Sequence, residues 1–347
     1  MVVLGISALY HDSAAAIIRD GEILAAAQEE RFTRKKLDRS LPVHAMRCCL
    51  REAGGLRGED LDAVVYYDDP VLTLDRALAN VAAAGDDTED LIRETLDPLY
   101  REKLWIERLL RKELGRLGRE DRLYVTRHHL AHAASAFYPS PFADAAILTV
   151  DGVGEWNTTT IGEGSGAEIR LLKKIDYPHS LGLLYSAFTW FCGFRVNYGE
   201  YKLMGLAPYG RPVYADVIKE KLIDVKEDGS FRLDLSYFDF PYGRAMTNGA
   251  FAELFGGPRR LPESEITTRE TDLAASIQTV TEEVILRLAR TAARLTGKKR
   301  LVMAGGVALN CTANGRLAEQ GPFEEIWVQP AAGDAGGALG AALAGIT

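Results

Sequence analysis

Cysteine is scarce. The 347-residue chain has four, Cys48, Cys49, Cys192 and Cys311, and no C-x-x-C pair. Neither a disulfide framework nor a zinc knuckle is indicated. Free thiols in a reducing cytosol are the plain reading, and a cytoplasmic location is expected. No apolar run approaches the ~20 residues that a membrane span needs. The opening MVVLGISALYHDS has no basic region ahead of its apolar stretch and holds a His-Asp pair, which is unlike a secretory signal. Cationic excess is also missing. Lys plus Arg number 41 against 49 Asp plus Glu, a net charge of −8, so there is no general attraction to nucleic acid or an anionic membrane. Pro (13) and Gly (33) are at ordinary levels, which excludes collagen-like and low-complexity architectures.

What is present is an apolar fraction of 47% and a length that suggests two lobes at ~150 residues each. The clearest pattern is an internal echo. Val2–Leu9, Ala14–Arg19 and Ile23–Gln28 read as a three-strand meander with an Asp20-Gly21 hairpin turn. Ala146–Val150, Thr158–Gly162 and Ile169–Ile175 repeat it, with a turn at Gly164–Gly166. A helix follows each meander, Val43–Glu52 and Leu181–Phe191, and then a strand–helix–strand–helix run. The last run uses the amphipathic helix Asp272–Thr296, strand Leu301–Ala304, helix Ala313–Glu319, strand Glu325–Val328 and a Gly/Ala helix from Asp334.

A duplicated β-β-β-α-β-α unit predicts an α/β, actin-like (ribonuclease H-like) fold, two lobes around a cleft for nucleotide and metal. The first lobe is expected at 1–143 with a helical insertion at 70–120. The second is expected at 144–347 with an insertion at 208–265, read as a lid or substrate-facing loop. The helix Asp272–Thr296 serves either the core or an interface, and a homodimer is compatible with it.

Three constellations carry chemistry. In Arg127-His128-His129-Leu130-Ala131-His132, His128 and His132 fall four apart on a predicted helix and share one face. Such a pair can ligate one transition metal, or simply decorate a helix. Asp151 in the Asp-Gly-Val-Gly turn and Asp334 at the start of the last helix offer carboxylates to the cleft, although Asp334 also suits an N-cap. Two His and two carboxylates accommodate Fe(II), Zn(II) or Mn(II). Second, Gly305-Gly306 and Gly152/Gly154 occupy turns where a backbone can approach a ligand closely. No P-loop or Rossmann fingerprint accompanies them. Third, His11-Asp12 lies on the first turn, before the basic loop Arg31–Lys36. His11 can act as a general base near neutral pH and Lys36 can hold an anion; turn residues and a solvated charge run are the alternatives.

These residues sit in the strings GISALYHDSAAAI, EERFTRKKLDRSLP, HHLAHAASAFYPSPF, TVDGVGEW, SLGLLYSAFT, NYGEYKLMGLAPYG, GGVALNCTANG and PAAGDAGGALGAAL. In order, from residue 3 to about 343, they resemble the O-carbamoyltransferases of antibiotic and nodulation-factor biosynthesis, among them the tobramycin, cephamycin, novobiocin and ansamycin enzymes. A more distant similarity is to the universal tRNA threonylcarbamoyladenosine transferase.

The resemblance implies a carbamoyl group activated as carbamoyl-adenylate from carbamoyl phosphate and ATP, then passed to a hydroxyl of a small-molecule natural product. It implies a metal, usually iron, held by His128, His132, Asp151 and Asp334. His11 would be the base for the acceptor hydroxyl, and Lys36 would contact the carbamoyl-adenylate. Gly152, Gly154, Gly305, Gly306, Asn310 and the segment Lys202–Gly205 would line the nucleotide. Family members continue into a second domain that makes the carbamoyl-adenylate. This sequence stops before such a C-terminal domain, so the expectation is either a piece of a longer protein or a stand-alone transfer domain that depends on a separate adenylate-forming partner. Leu37 and Leu41 stand where the family tends to have His and Phe. The rivals are a tRNA threonylcarbamoyl transferase and a non-catalytic actin-fold regulatory subunit.

Overall fold

The computed structural model describes residues 1–84, 89–242 and 245–345. The chain opens with β1 (Val2–Ser7), β2 (Ala14–Arg19), β3 (Glu22–Gln28), a one-turn helix α1 (Glu30–Thr33), α2 (Val43–Glu52) and β4 (Ala63–Tyr66). Helices α3 (Pro70–Ala83), α4 (Glu89–Arg101) and α5 (Ile106–Leu114) lie within the 70–120 segment. Then come β5 (Leu123–Val125) and α6 (His128–Phe137). The order repeats through β6 (Asp144–Val150), β7 (Asn157–Ser165), β8 (Glu168–Asp176), α7 (Leu181–Phe191) and α8 (Glu200–Leu206). The later insertion contains α9 (Ala215–Val217), β9 (Ile223–Val225), β10 (Phe231–Leu233) and α10 (Gly249–Leu254). The chain finishes with α11 (Thr268–Thr296), β11 (Arg300–Ala304), α12 (Cys311–Gln320), β12 (Glu325–Val328) and α13 (Asp334–Ala344).

The two large sheets have one topology. The first runs β3-β2-β1-β4-β5 and the second, read in the same sense, β8-β7-β6-β11-β12. In each, a central strand pairs antiparallel with its own meander and parallel with the strand that follows a helical crossover. This is the duplicated actin-like architecture. Asp20 and Gly21 both take positive φ, as an Asp-Gly hairpin turn requires. In the second meander the turn sits at Gly166–Ala167, because β7 runs on to Ser165 and pairs it with Glu168.

Local chemistry sets the ends of the helices. Helix α11 starts four residues earlier than its apolar period suggests, because Thr267 and Glu270 form a capping box. Helix α12 starts at Cys311 because the Asn310 side chain accepts the Ala313 N–H. Helices α6 and α13 connect the two halves. Helix α6 is buried on every face and packs against β6 and β11 as well as α13. Helix α13 follows the second sheet in sequence, yet packs on β1, β2 and β4 of the first. The later insertion departs from expectation. Phe231, Phe238, Phe251 and Phe255 are buried in one cluster with Phe188 and Phe191 of α7, and none of its described residues lines the cleft beside His11, Asp151 and Asp334. Burial of four aromatic rings makes it a core element rather than a lid. No helix among the described residues is long and apolar enough to cross a membrane.

Candidate metal centre and cleft

Each half delivers side chains to one place. His128 begins α6 and His132 follows one turn later, so both imidazoles project from the same face. Asp151 follows the last residue of β6, and Asp334 is the first residue of α13. His128 Nε2 lies 3.0 Å from Asp151 Oδ2 and 3.7 Å from Asp334 Oδ1. His132 Nε2 lies 3.4 Å and 3.7 Å from the same two oxygens, and 3.0 Å from His128 Nε2. One ligand atom from each residue falls within 4.8 Å of all the others, and all four residues are buried.

The donor set suits a divalent cation. Donors about 2.1 Å from one ion sit roughly 3.0–3.4 Å from their neighbours, close to the observed separations. The ion pairs made by Asp151 and Asp334 are with histidines, and two buried carboxylates demand compensating positive charge. Both Nδ1 atoms are buried without a hydrogen-bond partner, so Nε2 is where each ring meets other polar groups. His128, His132, Asp151 and Asp334 therefore fit Fe(II), Zn(II) or Mn(II) by donor type, and nothing in the geometry selects iron.

Charge follows position. Burial alone would pull the His128 imidazole down, but Asp334 and Asp151 outweigh it and push it up to about 9. The same balance, with Asp12 bonded to the ring, pushes His11 up to about 9. Asp151 is held well below the usual carboxylate range; burial works against this, and the bonds and charges of the two histidines prevail. His129, between the two candidate ligands, is different. Its ring bonds to Thr149 Oγ1 at 2.6 Å and the Asn157 carbonyl at 2.9 Å. Burial, and then the neighbouring histidines, push it down to about 3.

Beside this cluster opens a cleft enclosing about 1050 Å³, its open mouth included. His11, Gly152, Gly306, Asn310, Asp151 and Asp334 are on its wall. His11 Nδ1 meets Asp12 Oδ2 at 2.9 Å, and Gln28 Nε2 donates to the other Asp12 oxygen at 2.9 Å. The ring is thereby aimed so that Nε2 lies 4.0 Å from Asp334 Oδ2. The Gly306 N–H donates to Asp151 Oδ1 at 2.8 Å.

Other expected residues lie elsewhere. Gly154 is beneath the His128 ring, where a Cβ would come within 2.9 Å of the imidazole. Gly305 is one layer behind the wall; its φ of 95° and a Cβ 2.3 Å from the Val150 carbonyl oxygen demand glycine. Lys36 reaches back 3.0 Å to Glu30 and is more than half exposed. Lys202 lies over the Tyr198 ring and Gly205 faces open space, both off the cleft wall.

Several residues that touch the cluster or support the cleft wall carried little local signal. Tyr67 donates its hydroxyl to Asp334 Oδ2 at 3.2 Å. Gln278 and Asn310 exchange amide hydrogen bonds of 2.9 and 3.0 Å behind the wall, and Tyr185 donates to Gln278. Glu200 accepts from the Ser186 hydroxyl at 2.7 Å, both on the wall. The only hint in sequence was the crowding of polar residues into NYGEYK beside apolar helices.

Residues 2–343 match the family described as "Carbamoyltransferase N-terminus". An uncharacterized protein of Synechocystis sp. is 54% identical over 98% of this chain and 56% of its own length. Nodulation protein NolNO of Sinorhizobium fredii is 37% identical over 96% of the chain and 46% of its own length. A tRNA N6-adenosine threonylcarbamoyltransferase of Geobacter sp. is 25% identical over 92% of the chain. The chain thus spans about half the length of the first two of these relatives. With that match over nearly every residue, and a duplicated fold enclosing the cleft, the chain belongs to the carbamoyltransferase N-terminus family.

Proposed function

We propose that this chain is the transfer unit of an O-carbamoyltransferase. It would bind carbamoyl-adenylate, made from carbamoyl phosphate and ATP, and move the carbamoyl group to a hydroxyl of a small-molecule acceptor. The observation that carries the reading is the convergence of His128, His132, Asp151 and Asp334 on one point beside a cleft of about 1050 Å³. Membership of the family supports carbamoyl chemistry.

In this reading the adenylate lies along the second-half wall, of which Gly152, Gly306 and Asn310 form part. The acceptor oxygen attacks the carbamoyl carbon, a new C–O bond forms, and the anhydride C–O bond breaks to release AMP. The acceptor proton passes to His11 Nε2, with Asp12 and Gln28 fixing the ring. A divalent cation, Fe(II) by resemblance and Zn(II) or Mn(II) by donor type, would polarise the carbamoyl oxygen and offset the carboxylate charge that otherwise keeps His11 protonated. Lys36 would leave Glu30 to meet the anionic donor.

The test supplies synthetic carbamoyl-adenylate to the chain and scores hydroxylated small molecules against tRNA. Carbamoylated small molecules support the proposal. Activity confined to tRNA selects the threonylcarbamoyl reading, which the 25% identity to the Geobacter protein motivates. Metal bound without turnover on either selects a regulatory subunit.

A further inference from the structure

Helix α6 presents both imidazoles of the cluster, yet it has no N-cap of its own. Arg127 stands at that position with no side-chain hydrogen bond, and the first turn carries no acidic residue. Exposed N–H groups at a helix start need an acceptor, and the helix dipole favours a negative one. The acceptor comes from the other half of the molecule. Glu155, in the β6–β7 turn, is buried, and its Oε1 accepts the His128 N–H at 2.8 Å. The same oxygen accepts the Asp69 N–H at 3.0 Å, at the start of α3.

Two further contacts lock this turn against the first half. Arg76 Nε donates to the Glu155 carbonyl at 2.5 Å, and Trp156 Nε1 donates to Asp75 Oδ2 at 3.0 Å. Beside Glu155, Gly154 forms the shelf under the His128 ring. A single turn, four residues beyond Asp151, therefore fixes both the main chain and the ring of His128.

We propose that Glu155 is a positioning residue for the metal centre, its carboxylate serving as the missing cap of α6 and setting His128 relative to Asp151. The inference rests on the metal reading above. It makes the helical insertion, through Asp69 and Arg76, part of the support for the ligands. Groups of this kind typically change metal affinity by about 10–100-fold when removed.

The experiment strips the purified chain with a chelator and titrates it with Zn(II) and with Co(II), following affinity by calorimetry and geometry by the Co(II) visible spectrum. Three variants are compared with wild type. Glu155→Ala should weaken binding about 10-fold or more and alter the Co(II) spectrum. Glu155→Asp keeps the charge but withdraws the oxygen, and should lose most of that affinity. Glu155→Gln keeps an oxygen in place and should stay near wild type. If Glu155→Ala does not fold, the Asp and Gln pair still decides. Asp like wild type with Gln impaired would mean that charge, not placement, matters, and would overturn the proposal; so would all three variants matching wild type. A wild-type chain that takes up neither metal removes the metal reading itself, and this inference with it.

Discussion

Gly340 of α13 lies directly on Ala131 of α6: a Cβ built on Gly340 would sit 1.8 Å from the Ala131 carbonyl oxygen. The contact is backbone against backbone, so no side-chain rotation can relieve it. It lies between the two histidines of one helix and along the helix that begins with Asp334. Replacing Gly340 by Ala should force the helices apart and cost at least about 3 kcal/mol, the upper part of the range for overpacked cores. Chemical denaturation measures this. An unchanged midpoint with full metal uptake would show that the crossing is looser than it looks.

His132→Ala should remove metal and transfer together, since His132 Nε2 is within 3.7 Å of both candidate carboxylates. Elemental analysis of the purified variant gives the metal content. Wild-type occupancy after this change would refute the ligand set.

His11→Asn should lower transfer by about 10²–10⁴-fold, as loss of a general base does, with donor binding little changed. Asp12→Asn should be milder, because Gln28 still holds the side chain beside the ring. Stopped-flow transfer rates and equilibrium donor binding, measured on the same preparations, separate the two effects. A donor affinity that collapses along with the rate would mean that His11 is a binding residue.

Asp68 and Lys103 form a buried ion pair joining the end of the first sheet to the helical insertion. Burial pushes the Asp68 carboxyl up, but the Lys103 charge, then His128 and the bonds from Lys103 and Thr73, leave it below the ordinary value. A depressed folded pKa contributes stability above the unfolded value, about 3.9, and that stability is lost as pH falls through the folded pKa. Asp68→Asn should therefore flatten the acid limb of the stability profile below about pH 4. It should also cost about 3–5 kcal/mol at pH 7, because Lys103 is left buried without its partner. Urea midpoints between pH 2 and pH 8, in wild type and variant, check both.

Local rules reached far into this chain. The bounds of α2, α6 and α7 follow from apolar period and flanking polar residues, and the duplicated meander announces the paired sheets. The i,i+4 histidines are legible because helical geometry alone puts them on one face. Long-range partners were not. Nothing near Tyr67 in sequence points to Asp334, 267 residues away, and nothing near Glu155 announces that it caps a helix. The resting places of Lys36 and Lys202 were hidden for the same reason: a flexible cation goes to whichever carboxylate or ring is nearest, here Glu30 and Tyr198. The Phe-rich later insertion was misjudged because its Pro, Gly and Tyr content looks like a loop, while its four buried phenylalanines decide its place.

The path of α13 has a consequence for biosynthesis. The first sheet is complete in the nascent chain once Val125 has been made, but the helix that shelters its β1 and β2 strands is not made until Asp334–Ala344. Until then one face of that sheet stays wet, and native closure waits for contacts between strands near Val2 and a helix that begins at Asp334. Folding should thus be slow and late for so regular a structure, and a fragment ending before Asp334 should be sticky rather than half-native.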